Sequence, residues 1–300
     1  MIYTNKIENP ADANGWTRAY LDSILVEMRL LDSCVPDTSC TIFGRKFATP
    51  VMTAAFSHLD RMHEGGMITM AQGAAEAHAL NWAGMGSAEE LEGILGACPE
   101  TIKIIKPYMD RDLVREKLQH AYKAGAIAVG MDIDHSFNRK GQHDVVLGME
   151  MAPVSLDELK SFVAETPLPF VVKGVLSVQD ALKCREAGVS GILVSHHHGM
   201  IPYGVPPLMI LPEIAKAVGA DMDVFVDCHI DTGADTFKAL ALGAKAVCVG
   251  RAVLDDFGKN GAEGVRAYIN AMTDGLREMM AKTGAADLAS IDPGVLHTLV

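Results

Sequence analysis

The sequence predicts an α/β fold, a (β/α)8 barrel of the TIM type forming a single domain with a short N-terminal helical segment. Three observations carry that expectation. Eight short apolar, strand-like runs recur from Val51 onward, at 51–54, 79–83, 102–105, 127–131, 170–172, 192–194, 224–226 and 246–249. Each of the first seven is followed by a helix-like stretch, the alternation of a parallel sheet with crossover helices. Several of those stretches end in Ala-Gly or Leu-Gly, at Gly125, Gly188 and Gly243. Glycine there fits a left-handed terminator that turns the chain into the next strand. Eight such units in ~230 residues suit a closed barrel better than a doubly wound sheet.

Taken in order, residues 16–31 carry apolar side chains at helical spacing and predict a helix. Residues 41–48 read as a hairpin with Gly44 in its turn. Residues 1–49 are therefore expected to form a helix and hairpin capping the barrel, with residues 50–300 as the barrel itself. Crossover helices are expected at 112–124, 178–187, 212–218 and 234–242, and 261–282 supplies the last. No linker or shift of composition divides the chain. Two long connections, 134–153 and 199–211, follow the fourth and sixth strands. Both fall on the carboxyl-end face, where long loops cover a substrate.

Composition narrows the function. Apolar residues make up 49% of the 300 and charged residues 21%, which excludes a disordered chain. A formal charge of -12 speaks against nucleic-acid or anionic-membrane partners. The six cysteines include no CxxC pair and read as reduced thiols. No run approaches the ~18 apolar residues of a membrane span, and the N-terminal residues lack a signal-peptide pattern. The expectation is a cytoplasmic protein acting on a small molecule, with no membrane partner.

The strand ends carry the chemistry. Lys106 and Tyr108 follow the third strand, Asp132 and Asp134 the fourth, and Lys173 the fifth. Ser195-His196-His197-His198 follows the sixth, Asp227 and His229 the seventh, and Gly250-Arg251 the eighth. Any one of these has a bland reading as a cap or surface charge. Gathered around one rim they read as a site. An Asp beside a His makes a competent general base, and a lysine opposite steadies a developing anion. Gly250-Arg251, leading into a helical turn, offers backbone N–H groups and a guanidinium to phosphate.

Four stretches are specific: Pro169-Phe-Val-Val-Lys-Gly174, Gly191-Ile-Leu-Val-Ser-His-His197, Val224-Phe-Val-Asp227 and the run from Gly233 to Arg251. Together they resemble the FMN-dependent α-hydroxy-acid oxidase and dehydrogenase family, which includes glycolate oxidase and lactate oxidase. The likeness is strong over 165–254 and extends more weakly back to Pro50. It implies FMN as cofactor and a homo-oligomer, a tetramer or larger. It implies His197 as the catalytic base paired with Asp132, Lys173 beside the flavin ring, and Tyr108 as a substrate contact. Ungapped counting places Arg139 on a substrate arginine. Ala54, Ala55, Lys106, Ser195, Asp227, His229, Gly250 and Arg251 fall on the cofactor-binding positions, and no metal is implied.

The departures are informative. Met200 stands where the family has the substrate-carboxylate arginine, and His196 and His198 replace an Asn and a Gly. His229 replaces a close-approach glycine, and Asp231 an arginine that would face phosphate. The N-terminal part is short, with Tyr20 as the nearest candidate for the family's second tyrosine. The resemblance thus implies a divergent member with altered substrate specificity. Two other readings stay open at this point. One is a metal-dependent barrel lyase or isomerase using His135, His196, His198, His229, Asp132 and Asp134. The other is a barrel that binds a phosphate-bearing ligand without flavin.

Overall fold

The computed structural model describes residues 7–299, so residues 1–6 of the expected 1–49 segment and Val300 at the end of the barrel lie outside it. Eight parallel strands form the sheet expected from the sequence. The N-terminal part contributes helix α1 (Ala13–Ser23), strand β1 (Ile24–Val26) and a hairpin of β2 (Cys40–Ile42) and β3 (Arg45–Phe47). The barrel strands are then β4 (Val51–Thr53), β5 (Asn81–Ala83), β6 (Thr101–Ile105) and β7 (Ala128–Asp132). After a small hairpin, β8 (Val145–Val146) and β9 (Met149–Glu150), the barrel continues with β10 (Phe170–Val175), β11 (Gly191–Val194), β12 (Asp223–Val226) and β13 (Ala246–Val249). They lie in the order β4-β13-β12-β11-β10-β7-β6-β5. The ring closes between β4 and β5 through Thr53 N–H donating to Leu80 C=O at 3.3 Å and a bridge between Phe56 and Ala83.

Helices α2 (Gly66–Glu76), α3 (Ala88–Ala97), α4 (Arg111–Ala124), α5 (Leu156–Glu165), α6 (Val178–Glu186), α7 (Pro207–Val218) and α8 (Gly233–Ala241) make the crossovers. The last helix, α9 (Leu254–Thr283), bends at Gly261, whose φ of +55° breaks the helical run. Gly125, Gly188 and Gly243 all adopt positive φ at helix ends, which is why the chain uses glycine there.

Two expectations are corrected. The first helix stops at Ser23 instead of reaching Leu31, because Ile24–Val26 pairs antiparallel with strand β14 (Leu296–Thr298). The apolar β-branched residues that extended the helical pattern serve a sheet instead. Helix α7 begins at Pro207, not at 212, with proline at its first position, where the missing N–H costs no helical hydrogen bond.

Side-chain alternation explains the rim. Met52, Ile102, Ile104, Ala128, Val171, Leu193, Phe225, Ala246 and Cys248 belong to one buried interior cluster with Trp82. The hairpin adds Ile42, Phe43 and Phe47 to it, with Phe43 meeting Phe225 edge-on at 6.1 Å. Two residues further along each strand, the same parity gives Ala54, Lys106, Lys173, Ser195, Asp227 and Gly250, with Asp132 four beyond Ala128. The apolar barrel floor and the polar rim are thus set by one period-2 pattern.

Candidate active site

Lys173, from β10, stands at the centre of the rim. Its Nζ lies 2.9 Å from His197 Nδ1, 3.3 Å from Asp134 Oδ2 and 3.5 Å from Asp132 Oδ2. A second ammonium, Lys106 Nζ, donates to Asp132 Oδ2 at 2.7 Å. Burial would neutralise Lys173, but Asp132, Asp134 and Asp227 outweigh it and raise its pKa. Burial likewise disfavours the Asp132 carboxylate, yet Lys173, His197 and Lys106 hold it well below the usual range.

His197 is bonded chiefly to Asp134, not Asp132: Nδ1 is 2.6 Å from Asp134 Oδ1 and 3.5 Å from Asp132 Oδ2. The expected Asp132 is joined by a nearer partner because the chain bends after β7 into a 3-10 turn at Ile133–Ser136, which swings Asp134 back over the rim. Gly174 makes room for it. It sits at the β10 register shift with φ +91°, and a Cβ there would lie 2.5 Å from Asp134 Oδ2. A bond this short to a carboxylate puts the proton on Nδ1, leaving Nε2 for a ligand. Burial and Lys173 pull the His197 pKa down, but hydrogen bonds to Asp132 and Asp134 prevail and push it up to about 9.

The three histidines go three ways. The segment is not extended, since His197 and His198 have φ of +43° and +59°. The Thr17 hydroxyl donates to Ala13 C=O, so it accepts from His196 Nε2–H at 2.7 Å. His196 Nδ1 then accepts from Gly199 N–H, and the ring is neutral, in keeping with a pKa lowered by burial. His198 Nδ1 donates to Asn14 Oδ1 at 2.8 Å while Nε2 accepts from Arg251 at 2.5 Å. Arg18 of α1 forms a bidentate pair with Asp235 and reaches His229 C=O at 3.2 Å. Asn14, Thr17 and Arg18 are therefore a latch from α1 onto the rim. Their i, i+3, i+4 spacing marks one helix face, but nothing in sequence says that this face meets loops 180 residues away.

A cavity of about 520 Å³ opens beside this cluster, lined at one end by Ala54, Ala55, Lys173 and His197 and at the other by Asp227, His229, Gly250 and Arg251. Cys228 and Asp231 also line it, neither of them expected as a contact. A second hollow shares the Asn14–His198 wall and brings Arg139 near Met200. Three expected residues lie elsewhere. Lys106 is spent on Asp132 behind the cavity. Ser195 is buried beneath the loop, its Oγ accepting the His197 N–H at 3.0 Å. Tyr108 turns off the rim, because its N–H folds back onto Lys106 C=O. Its ring is buried under Lys117, and the residue borders a separate hollow with Met149 and Glu150. Tyr20 packs against the core outside the barrel and lines neither cavity.

Ligand atoms of Asp132, Asp134, His135 and His197 lie within 4.8 Å of one another. Lys173 already sits among them and Lys106 holds Asp132, so the carboxylate charge is met by ammonium groups. His196, His198 and His229 point to other partners, and the metal reading loses its ligand set.

The cavity offers room and positive charge to a cofactor with an anionic tail. A Cβ on Gly250 would meet nothing within 4 Å, Lys173 and Arg251 supply positive charge, and His229 Nε2 is buried without a partner. The carboxylates of Asp227 and Asp231 oppose an anion there.

A family model described as FMN-dependent dehydrogenase matches residues 3–155 and 149–298. The chain is 28% identical to 4-hydroxymandelate oxidase of Amycolatopsis orientalis, covering 91% of this chain and 86% of that protein. It is 27% identical to a peroxisomal (S)-2-hydroxyacid oxidase of Arabidopsis thaliana, covering 99% and 91%. Among solved structures, mandelate oxidase with benzoyl-formic acid superposes with a TM-score of 0.87 at 28% identity, covering 97% of this chain and 91% of the other. A mandelate oxidase variant with a monooxide FMN adduct gives 0.85 at 29%, covering 97% and 93%.

Proposed function

The chain belongs to the FMN-dependent dehydrogenase family, and on that premise we propose that it oxidises a small 2-hydroxy acid or related alcohol with His197 as the base. It is an FMN-dependent oxidoreductase of the α-hydroxy-acid oxidase type, with FMN as cofactor. When bound, FMN supplies the two-electron acceptor. The observation that carries the reading is His197, fixed at the cavity wall between Asp134 and Lys173.

The residues divide the work. Asp134 fixes the tautomer by accepting from Nδ1–H, so His197 Nε2 receives the substrate proton. The product imidazolium is held by Asp134 and Asp132. The Lys173 ammonium, on the same cavity, steadies negative charge that develops there, and Asp132 keeps that ammonium in place. Because the His197 pKa is about 9, the neutral base becomes abundant only as the pH approaches that value.

Substrate choice is set in the second hollow. Arg139 offers one guanidinium to a carboxylate, while Met200 gives an apolar contact. That pair favours a substrate with a single anionic anchor and a larger or less charged side than glycolate or lactate. No helix among the described residues is long and apolar enough to cross a membrane.

The test is spectroscopic. The protein is purified with FMN and mixed anaerobically with a panel of 2-hydroxy acids of increasing apolar side-chain size. Bleaching of the flavin absorbance by a member of the panel, lost in His197→Asn, supports the reading. A protein that cannot be loaded with FMN, or a His197→Asn variant that bleaches at the wild-type rate, overturns it.

A further inference from the structure

The loop after β12 holds a histidine that the redox chemistry leaves unused. His229 has φ +56° and follows Cys228 at +72°, so two side chains crowd a backbone conformation that glycine occupies without strain. His229 Nδ1 lies 3.4 Å from Asp231 Oδ2, and its Nε2 is one of two buried side-chain atoms with no hydrogen-bond partner among the described residues. A partnerless buried nitrogen is unfavourable unless something completes it.

His229 and Asp231 line the cavity together with Gly250, Arg251 and Ala252. In (β/α)8 barrels the loops after the seventh and eighth strands, with a short helical turn, are a frequent place for phosphate. Here that turn is the 3-10 segment Arg251–Val253. Asp231 by itself would repel a phosphate. An imidazolium standing beside it reverses the sign.

With Nδ1–H engaged by Asp231, Nε2 donates to an anion only if the ring carries both protons. We propose that His229 is the phosphate-binding group of the FMN site and takes up one proton from solvent when the phosphate binds. An Asp231–imidazolium–phosphate chain then stands where a guanidinium would otherwise face the anion. The inference rests on the flavin reading. The groups around His229 are Asp231 on its own loop, Asp227 before it, and Arg251 from the β13 loop. His196 and His198 face it from the β11 loop, and Arg18 of α1 reaches its carbonyl while pairing with Asp235 of α8. Arg18 and Arg251 bring positive charge and the carboxylates negative charge, and the bound phosphate adds a dianion to them.

Calorimetry tests the idea without turnover. The full-length protein, freed of flavin, is titrated with FMN and with riboflavin at pH 8, in two buffers of different ionisation enthalpy. At that pH the phosphate, whose second pKa is about 6, is already a dianion, so uptake reports on the protein. Close to one proton is expected per FMN and none per riboflavin. FMN affinity then falls by up to about tenfold per pH unit above the imidazole range. His229→Asn, a residue that tolerates positive φ, is expected to abolish both effects. FMN binding without proton uptake, or uptake that survives in His229→Asn, overturns the proposal and leaves the flavin reading standing. Failure to bind FMN at both pH 6 and pH 8 overturns both.

Discussion

Asp134→Asn removes the carboxylate closest to His197 while keeping the shape of the side chain. The lost contact is the 2.6 Å bond to Nδ1, a charge-assisted one worth roughly 1.5–3 kcal/mol. A pKa unit corresponds to about 1.36 kcal/mol, so the His197 pKa should fall by about one to two units. In the wild type, with that pKa at about 9, roughly 1% of His197 is neutral at pH 7. The wild-type kcat/KM should therefore climb about tenfold per pH unit up to that value. In Asp134→Asn the limb should move to roughly pH 7–8, with a lower plateau because the ring is less firmly oriented. The assay is kcat/KM against pH from 5.5 to 10, with Asp132→Asn in parallel. Asp132 Oδ2 is 3.5 Å from Nδ1 and also raises the His197 pKa, so its variant should move the limb in the same direction. A limb in Asp134→Asn within about 0.3 units of wild type would refute the assignment of Asp134 as the partner that sets the base.

Three further outcomes follow from the same cluster. Gly174→Ala, whose Cβ would lie 2.5 Å from Asp134 Oδ2 at φ +91°, should cost about 1–2 kcal/mol in urea unfolding and shift the pH limb as Asp134→Asn does. Lys173→Met strips the buried carboxylates of their central cation and should destabilise the fold by about 3–5 kcal/mol, and a loss under about 1 kcal/mol would show that Lys106 suffices. His197 has a raised folded pKa, so its stabilising contribution is fully present below the unfolded value of about 6.5 and is lost as pH rises through about 9. Stability measured by denaturant unfolding should decline across that window, and the decline should flatten in His197→Asn.

The barrel was legible because each strand is an apolar run bounded by turn residues, and the rim because alternation carries the interior parity one step past the strand end. Local backbone bends were not legible. Whether Asp132 or Asp134 takes His197 depends on a 3-10 turn whose sequence, Ile-Asp-His-Ser, has no strong signature. The three histidines part because the segment is folded at positive φ, which a run of three identical residues does not signal. Tyr108 matches a motif position yet leaves the rim, because a fold-back of one residue reverses its direction. The first helix was overrun because Ile24 and Leu25 stand three and four residues after Leu21, at helical spacing, and only the distant Leu296–Thr298 strand shows that they belong to a sheet.

The latch from α1 couples parts of the chain that any engineer would treat as separable. Asn14 and Thr17 complete His198 and His196, while Arg18 holds the loop that carries His229. A chimera that imported a relative's glycine-containing loops at 195–200 and 227–233 would leave Asn14 and Thr17 of α1 without the imidazole N–H donors they accept from. One that imported a relative's first helix would strand the histidines. The helix and the two loops are one exchangeable cassette, and grafts that move all three together should retain soluble expression where single-loop grafts lose it.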